Sequence, residues 1–285
     1  MEGFIIGYTI KQSKMADRVV RKSFSEKNIV VTKSKKKVKR LIMEKPIISI
    51  IAPAIRPQLW LEFYKMCCNG NIIPFEIVFV GPNLPSFKLP ENFFFIHSNV
   101  KPPQCFEIAC RNAKSEYVLI FTDDLIIPSG TIDLMYSYMI RMWNEKAIIG
   151  ARFSDNPNPG TPDYDMFFDL NSVCSAVVAC AVLIKKSVWE EVGGVDRRFN
   201  RLWSDTDLQM RIIAAGGFSF VVPSEKHIVR ERRHDYPRLI QDPSKGKMED
   251  RSFIDSLWIN PDGSPKSERL DPVQSYLDSE IPIVR

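Results

Sequence analysis

The chain has 285 residues, of which 45% are hydrophobic and 26% charged, enough to bury a substantial core in one large domain or two small ones. That composition is ordinary for a water-soluble globular protein, and no apolar run approaches the roughly 18–20 residues that cross a bilayer. The net charge of +5 is unevenly placed, because residues 1–45 carry 13 Lys and Arg against 4 Asp and Glu, whereas the other 240 carry 26 against 30.

The basic excess therefore belongs to a leader, densest at residues 33–40. Two readings of it stay open: a contact with nucleic acid or an anionic membrane surface, and a flexible solvated tail. The N-terminus lacks the apolar core and cleavage site of a secretory signal. Met43 is a second candidate for the start of the protein, since the first strand follows at once. Six cysteines (Cys67, Cys68, Cys105, Cys110, Cys174 and Cys180) form no C-x-x-C pair and no zinc spacing. They read as reduced thiols in a cytoplasmic protein.

From Pro46 onward, strand-like and helix-like segments alternate. Residues 47–51 form a first buried strand, closed by Ala52 and Pro53. Residues 58–68 form a helix with Leu59, Phe63 and Met66 at helical spacing. A second strand at 76–80 is stopped by Gly81 and Pro82, and a short third strand spans 93–96. A helix at 103–113 has proline near its first turn, where a missing N–H costs nothing. Residues 117–122 are so continuously apolar that they predict a strand buried on both faces. A helix is expected over 130–144, with Ile132, Met135, Tyr136, Met139 and Ile140 on one face. Ile148 and Ile149 begin another strand, 154–163 is a loop by composition, and 177–184 is a strongly apolar strand. A short helix at 187–192 ends in Gly193 and Gly194. A helix at 205–215, with Ser204 and Asp207 in capping-box spacing, ends in Gly216 and Gly217, and a strand follows at 218–222. Strands alternating with helices predict an α/β domain with a mainly parallel sheet covered on both faces.

Ligands of such sheets gather at the carboxyl ends of the strands. That edge holds residues 53–56, 81–83, and the acids Asp123 and Asp124. Paired carboxylates there suit a hard divalent cation bridging to phosphate, although both also read as turn residues ahead of Pro128, Ser129 and Gly130. Ser204, Asp205, Thr206 and Asp207 are a second candidate. Their acids suit a helix N-terminus, and one facing the cleft would serve as a general base.

The order of these segments resembles a family 2 glycosyltransferase of GT-A fold. The resemblance rests on residues 46–53, on the strand rising from Glu76, and on Arg111, Asn112 and the Ser115-Glu116-Tyr117 start of the next strand. It continues through Asp123 and Asp124, then Lys185-Lys186, then Glu190-Glu191-Val192-Gly193-Gly194, and ends on the Asp205-Thr206-Asp207-Leu208 helix start. It covers about residues 46–235.

The resemblance implies a single catalytic domain over 46–240, preceded by the leader at 1–45. Residues 241–285 would be an extension that packs on the domain or is partly disordered. It implies transfer of a sugar from a nucleotide-diphosphate donor to the hydroxyl of a glycan, lipid-linked or protein acceptor, with inversion and with Mn²⁺ or Mg²⁺ as cofactor. Asp205 matches the general base. Pro53, Arg56, Arg111, Asp123 and Gly194 match donor-binding positions. Asp124 matches the metal ligand, completed by a histidine after the last strand. His234 is preferred over His227 for that role, with Arg230, Arg232 and Arg233 beside it for the diphosphate.

Three positions depart from the family pattern. Thr122 replaces the first acid, Gly81-Pro82-Asn83 replaces an Asp-Asp-Gly, and Ile55 replaces an asparagine. These departures keep a non-catalytic glycan- or nucleic-acid-binding descendant open. A nucleotidyltransferase is less favoured, because residues 52–57 contain no glycine.

Overall fold

A strand buried on both faces can satisfy its backbone only through neighbouring strands, and four of the expected apolar runs do so side by side. The computed structural model describes residues 45–154, 181–224, 228–230 and 247–275. In it β1 (Ile48–Pro53), β2 (Phe75–Gly81), β3 (Phe93–His97) and β4 (Tyr117–Ile120) pair in parallel in the order β3-β2-β1-β4. Next to β4 lies β8 (Val182–Lys185), antiparallel both to it and to β6 (Ala147–Gly150). β9 (Phe218–Val221) closes the seven-stranded sheet, parallel to β6. The expected α/β class with a mainly parallel sheet is what folds.

Helices cover both faces. α1 (Pro57–Cys68) and α3 (Thr131–Met139) enclose a core that includes Trp60, Phe63, Phe79, Phe121 and Met135. α2 (Pro102–Asn112), α4 (Lys186–Glu191) and α5 (Ser204–Ala214) enclose another with Ile51, Val78, Ile108, Trp189 and Leu208. Each such side chain, once fully buried, contributes roughly 1.5–3 kcal/mol of transfer free energy. A small second sheet joins β5 (Leu125–Ile126), β10 (Ile228–Arg230) and β7 (Phe153–Ser154), with β10 in the middle. Its register puts residue 230 opposite Leu125, the residue after Asp124.

Several boundaries differ from expectation, for identifiable reasons. The helix expected over 130–144 ends at Met139, and Asn144 turns back instead, donating to the Gly216 carbonyl and accepting from the Lys146 N–H. The strand expected to reach Thr122 ends at Ile120, although the Phe121 N–H still donates to the Ile51 carbonyl at 3.0 Å. The capping box at Ser204 does not form. Trp203 is the N-cap, in the left-handed region at φ 67°, and its side chain makes no capping hydrogen bond. The leader, the loop beyond Ser154, residues 177–180, Cys174, Cys180, His227 and His234 lie outside the described residues.

The C-terminal stretch is built into the domain. α6 (Lys247–Trp258) sets Ile254, Leu257 and Trp258 against Phe199 and Met210, the first from the loop before α5 and the second from α5 itself.

Candidate active site

Parallel strands with right-handed crossovers bring every strand's carboxyl end, and each following helix's N-terminus, to one edge. Asp123 lies there, three residues past β4, and it is almost wholly buried. Its Oδ2 accepts the Ile55 and Arg56 backbone N–H groups at 2.7 Å each and the Trp60 indole at 3.3 Å, and its Oδ1 accepts Arg56 Nη1 at 2.5 Å. Asp123 thus ties the loop after β1 to the end of β4. Burial pushes its carboxyl above the usual range, Asp124 adds to this, and Arg56 opposes it. Asp124 accepts the Thr122 hydroxyl at 2.7 Å and lies 3.4 Å from Arg56 Nη1. Arg56 therefore bridges the two acids, and Thr122, in place of the family's first acid, supplies a donor rather than a ligand.

The same loop is held from β2. The Asn83 amide donates to the Ile55 carbonyl at 2.7 Å, and a Cβ on Gly81 would fall 1.7 Å from the Ala54 carbonyl oxygen. Gly81 is needed here for the close approach of two backbones. Pro53, the last residue of β1, is paired opposite Val80 at this crossing. His97, at the end of β3, bonds the Pro82 carbonyl at 3.0 Å.

Asp205 sits half-buried in the first turn of α5, at the same edge, with its Oδ1 accepting the Thr206 N–H at 3.0 Å. Asp207, two residues on, points inward. It is fully buried, accepting Arg211 Nε at 3.0 Å, Arg269 Nη1 at 2.8 Å and the Trp258 indole at 2.9 Å. Arg269 also reaches Asp196 at 2.5 Å, and Asp196 is clasped by Arg198 through Nε and Nη2. Burial pushes Asp196 up, but its bonds from Arg198 and Arg269 outweigh this and hold it below the usual carboxylate range. Asp250, on α6, accepts the backbone N–H groups of Asn200, Arg201 and Leu202 at 2.7–2.9 Å. The loop leading into α5 is therefore fastened from the C-terminal stretch.

Two expected donor residues lie apart from this edge. Arg111 occupies the last turn of α2, which returns the chain to the start of β4, and it bonds Glu107 at 2.8 Å and the Ser275 carbonyl at 2.7 Å. Gly194 has φ +74°, and the side chain that uses its missing Cβ is Glu107, whose Oε2 would fall 2.5 Å from one. Glu107 also accepts the Trp189 indole and the Val195 N–H. The close approach that glycine permits here is internal.

The described residues do not fit a divalent cation. Such an ion needs several hard oxygens. Asp123 is committed to four donors, Asp124 has an arginine nitrogen beside it, and no group of three or more His, Cys, Asp or Glu is placed to hold a metal among the described residues. His234, the second expected ligand, lies outside them. The cluster of Asp123, Asp124 and Arg56 is net negative.

A cavity of about 380 Å³ opens on the α2 face and is lined by Asn99, Val100, Lys101, Gln104, Arg197 and Arg198. The motif reading missed it, because it joins residues almost a hundred positions apart. The adjacent Arg197 and Arg198, following two acids and two glycines, were the signal in the sequence.

No protein-family model matches the sequence, and no curated protein matches it. Solved structures do. The first 349 residues of Staphylococcus aureus TarS share 13% identity and a TM-score of 0.52, over 65% of this chain and 60% of that one. The complex of the same protein with UDP-GlcNAc gives 14% and 0.51, over 67% and 60%. GalNAc-T7 with UDP, GalNAc and Mn²⁺ gives 11% and 0.56, over 75% of this chain and 48% of that one. The chain thus spans between about half and three fifths of the length of these neighbours. The likeness lies in the fold, and the architecture of this chain is the GT-A fold of nucleotide-sugar glycosyltransferases.

Proposed function

We propose that the protein is a glycosyltransferase that moves a sugar from a nucleotide-diphosphate donor to an acceptor hydroxyl with inversion. The observation that carries this reading is the joint placement, in a GT-A fold, of Asp205 on the N-terminus of α5 and of the Arg56-bearing loop at the carboxyl edge of one sheet. A carboxylate on a rigid helix end, next to a cleft, is placed to take a proton.

In the proposed reaction the acceptor oxygen attacks the anomeric carbon. The new C–O bond forms as the bond to the diphosphate breaks, the nucleoside diphosphate leaves with the electron pair, and Asp205 takes the acceptor's proton. Pro53 and Arg56 would shape the donor side of the cleft, with Asp123 holding their loop. Arg111 and Gly194, proposed as donor contacts from the resemblance, would act through Glu107, which both of them adjoin. Residue 230 on β10 lies beside the strand after Asp124, which supports a diphosphate contact from that segment. A divalent cation, Mn²⁺ or Mg²⁺, is the family's expectation and is present in the GalNAc-T7 complex. Because the described residues do not fit one, no step passes through it. No described helix is long and apolar enough to cross a membrane, and the four described cysteines are free thiols, which is in keeping with the cytoplasmic reading.

Turnover of nucleotide-sugar donors, screened first by thermal shift and then by release of the nucleoside diphosphate, tests the reading. A donor that stabilises the protein and is consumed only by the wild type, not by Asp205→Asn, is the expected result. The second reading is a non-catalytic binder, favoured by Thr122 in place of an acid. It predicts stabilisation without turnover.

A further inference from the structure

The acids at the end of β4 make a poor seat for phosphate. Two carboxylates share one guanidinium there, and the remaining negative charge repels an anion. The cavity on the α2 face has the opposite character. Three of its six lining residues are cations, Lys101, Arg197 and Arg198, and none is acidic.

Its cations are held in place. The Lys101 ammonium donates to Asn200 Oδ1 at 2.7 Å, a neutral partner that leaves its charge in force. Gln104, with its amide oxygen turned to Arg197, accepts from Arg197 Nη2 at 2.9 Å and Nε at 3.1 Å. The Arg197 backbone is fixed by its N–H bond to the Gln274 carbonyl at 2.8 Å. Arg198 is held by Asp196 and Asp271, which offset its charge, so it shapes the cavity rather than adding net charge to it. Restrained donors lose little entropy when a ligand arrives. Pro102 and Pro103 open α2 without N–H groups, so among its first three residues only Gln104 carries a backbone donor. The volume is that of a small-ligand pocket.

We propose that this cavity binds a phosphoryl group of the substrate. Two substrates could present one, the donor through its diphosphate and an acceptor that carries a phosphate. The glycosyltransferase reading enters only in naming those two molecules.

The test is calorimetry on the full chain in EDTA at moderate ionic strength, with pyrophosphate, UDP and glycerol 1-phosphate as probes. Lys101→Gln, which alters an exposed side chain, Arg197→Gln and the double variant are compared with the wild type after circular dichroism confirms their folds. Pyrophosphate and UDP should bind the wild type, and each single substitution should weaken them about tenfold or more, as loss of a charge-assisted hydrogen bond does. Glycerol 1-phosphate that still binds the UDP-saturated protein, and needs Lys101 and Arg197, assigns the cavity to the acceptor; displacement by UDP assigns it to the donor. Unchanged affinities in folded variants, or no binding of any probe to the wild type, overturn the proposal. Turnover with unaltered UDP affinity in the variants sinks the cavity alone. Pyrophosphate bound through Lys101 and Arg197 by a protein that consumes no nucleotide sugar sinks the functional reading and leaves the cavity standing.

Discussion

Asp205 and Asp207 share the first turn of one helix, yet their surroundings differ. Asp205 is half-buried and bonds the Thr206 N–H, whereas Asp207 is sealed between two arginines and an indole. Asp205→Asn should lower turnover by about 10²-fold or more and leave donor affinity nearly unchanged, since a general base acts on the acceptor. Steady-state kinetics with a titrated donor checks this. Asp207→Asn should instead cost stability, on the order of 3–5 kcal/mol, because it leaves Arg211 and Arg269 short of their buried carboxylate. Urea denaturation reads it directly. Gly81 makes a third case. Any Cβ there meets the Ala54 backbone oxygen, so Gly81→Ala should shift the first loop and destabilise the fold by about 1–3 kcal/mol. The sequence showed Gly81 as a strand stop at the ligand edge and as a missing acid. Its reason lies in a crossing of two loops that are distant along the chain.

At the scale of elements, the described part of the C-terminal stretch fastens α5 and the loop that leads into it. Arg269 joins Asp196 to Asp207, and Asp250 holds the loop that opens α5. Arg269→Met should therefore destabilise the domain and lower turnover together, a coupling that denaturation and kinetics on the same preparation will show. The network also sets an acid limit. Asp196 is held below the usual range, so its contribution is fully present above the unfolded-state pKa of about 3.9 and is lost as pH falls through the lower folded value. The Asp196 part of the stability should be lost below about pH 4, seen as a drop in the denaturation midpoint there. In Arg269→Met the acid-linked part of that drop should shrink, because Asp196 loses one of the two partners that lower its pKa.

Among the described residues, the two faces of the sheet carry separate cores, and Arg111 and Gly194 are the candidate residues that lie apart from the carboxyl edge. The basic leader is set apart from the rest of the chain by its charge, 13 Lys and Arg against 4 Asp and Glu where the other 240 residues carry 26 against 30. Deleting residues 1–42 should leave the melting temperature and donor binding nearly unchanged, as a scanning calorimetry comparison will show. A large loss of stability would mean that the catalytic unit begins earlier than Pro46.

Local patterns were legible in the chain itself. Continuous apolar runs fixed β1, β2 and β4 to within two or three residues, because a strand buried on both faces tolerates few polar residues. Proline and glycine marked ends of α2, α4 and α5, through the backbone angles and donors they remove or allow. The order of strands and helices made the carboxyl edge the place to look for a site, and Asp205 and Asp124 were found there. The partners of each charge were decided by tertiary structure. Which acid on α5 is buried and paired, why Gly81 and Gly194 lack side chains, and that Lys101 and Arg197 line one cavity all depend on contacts between segments tens of residues apart. A charged residue's role follows from what desolvates and pairs it, and those neighbours exist only once the chain has folded.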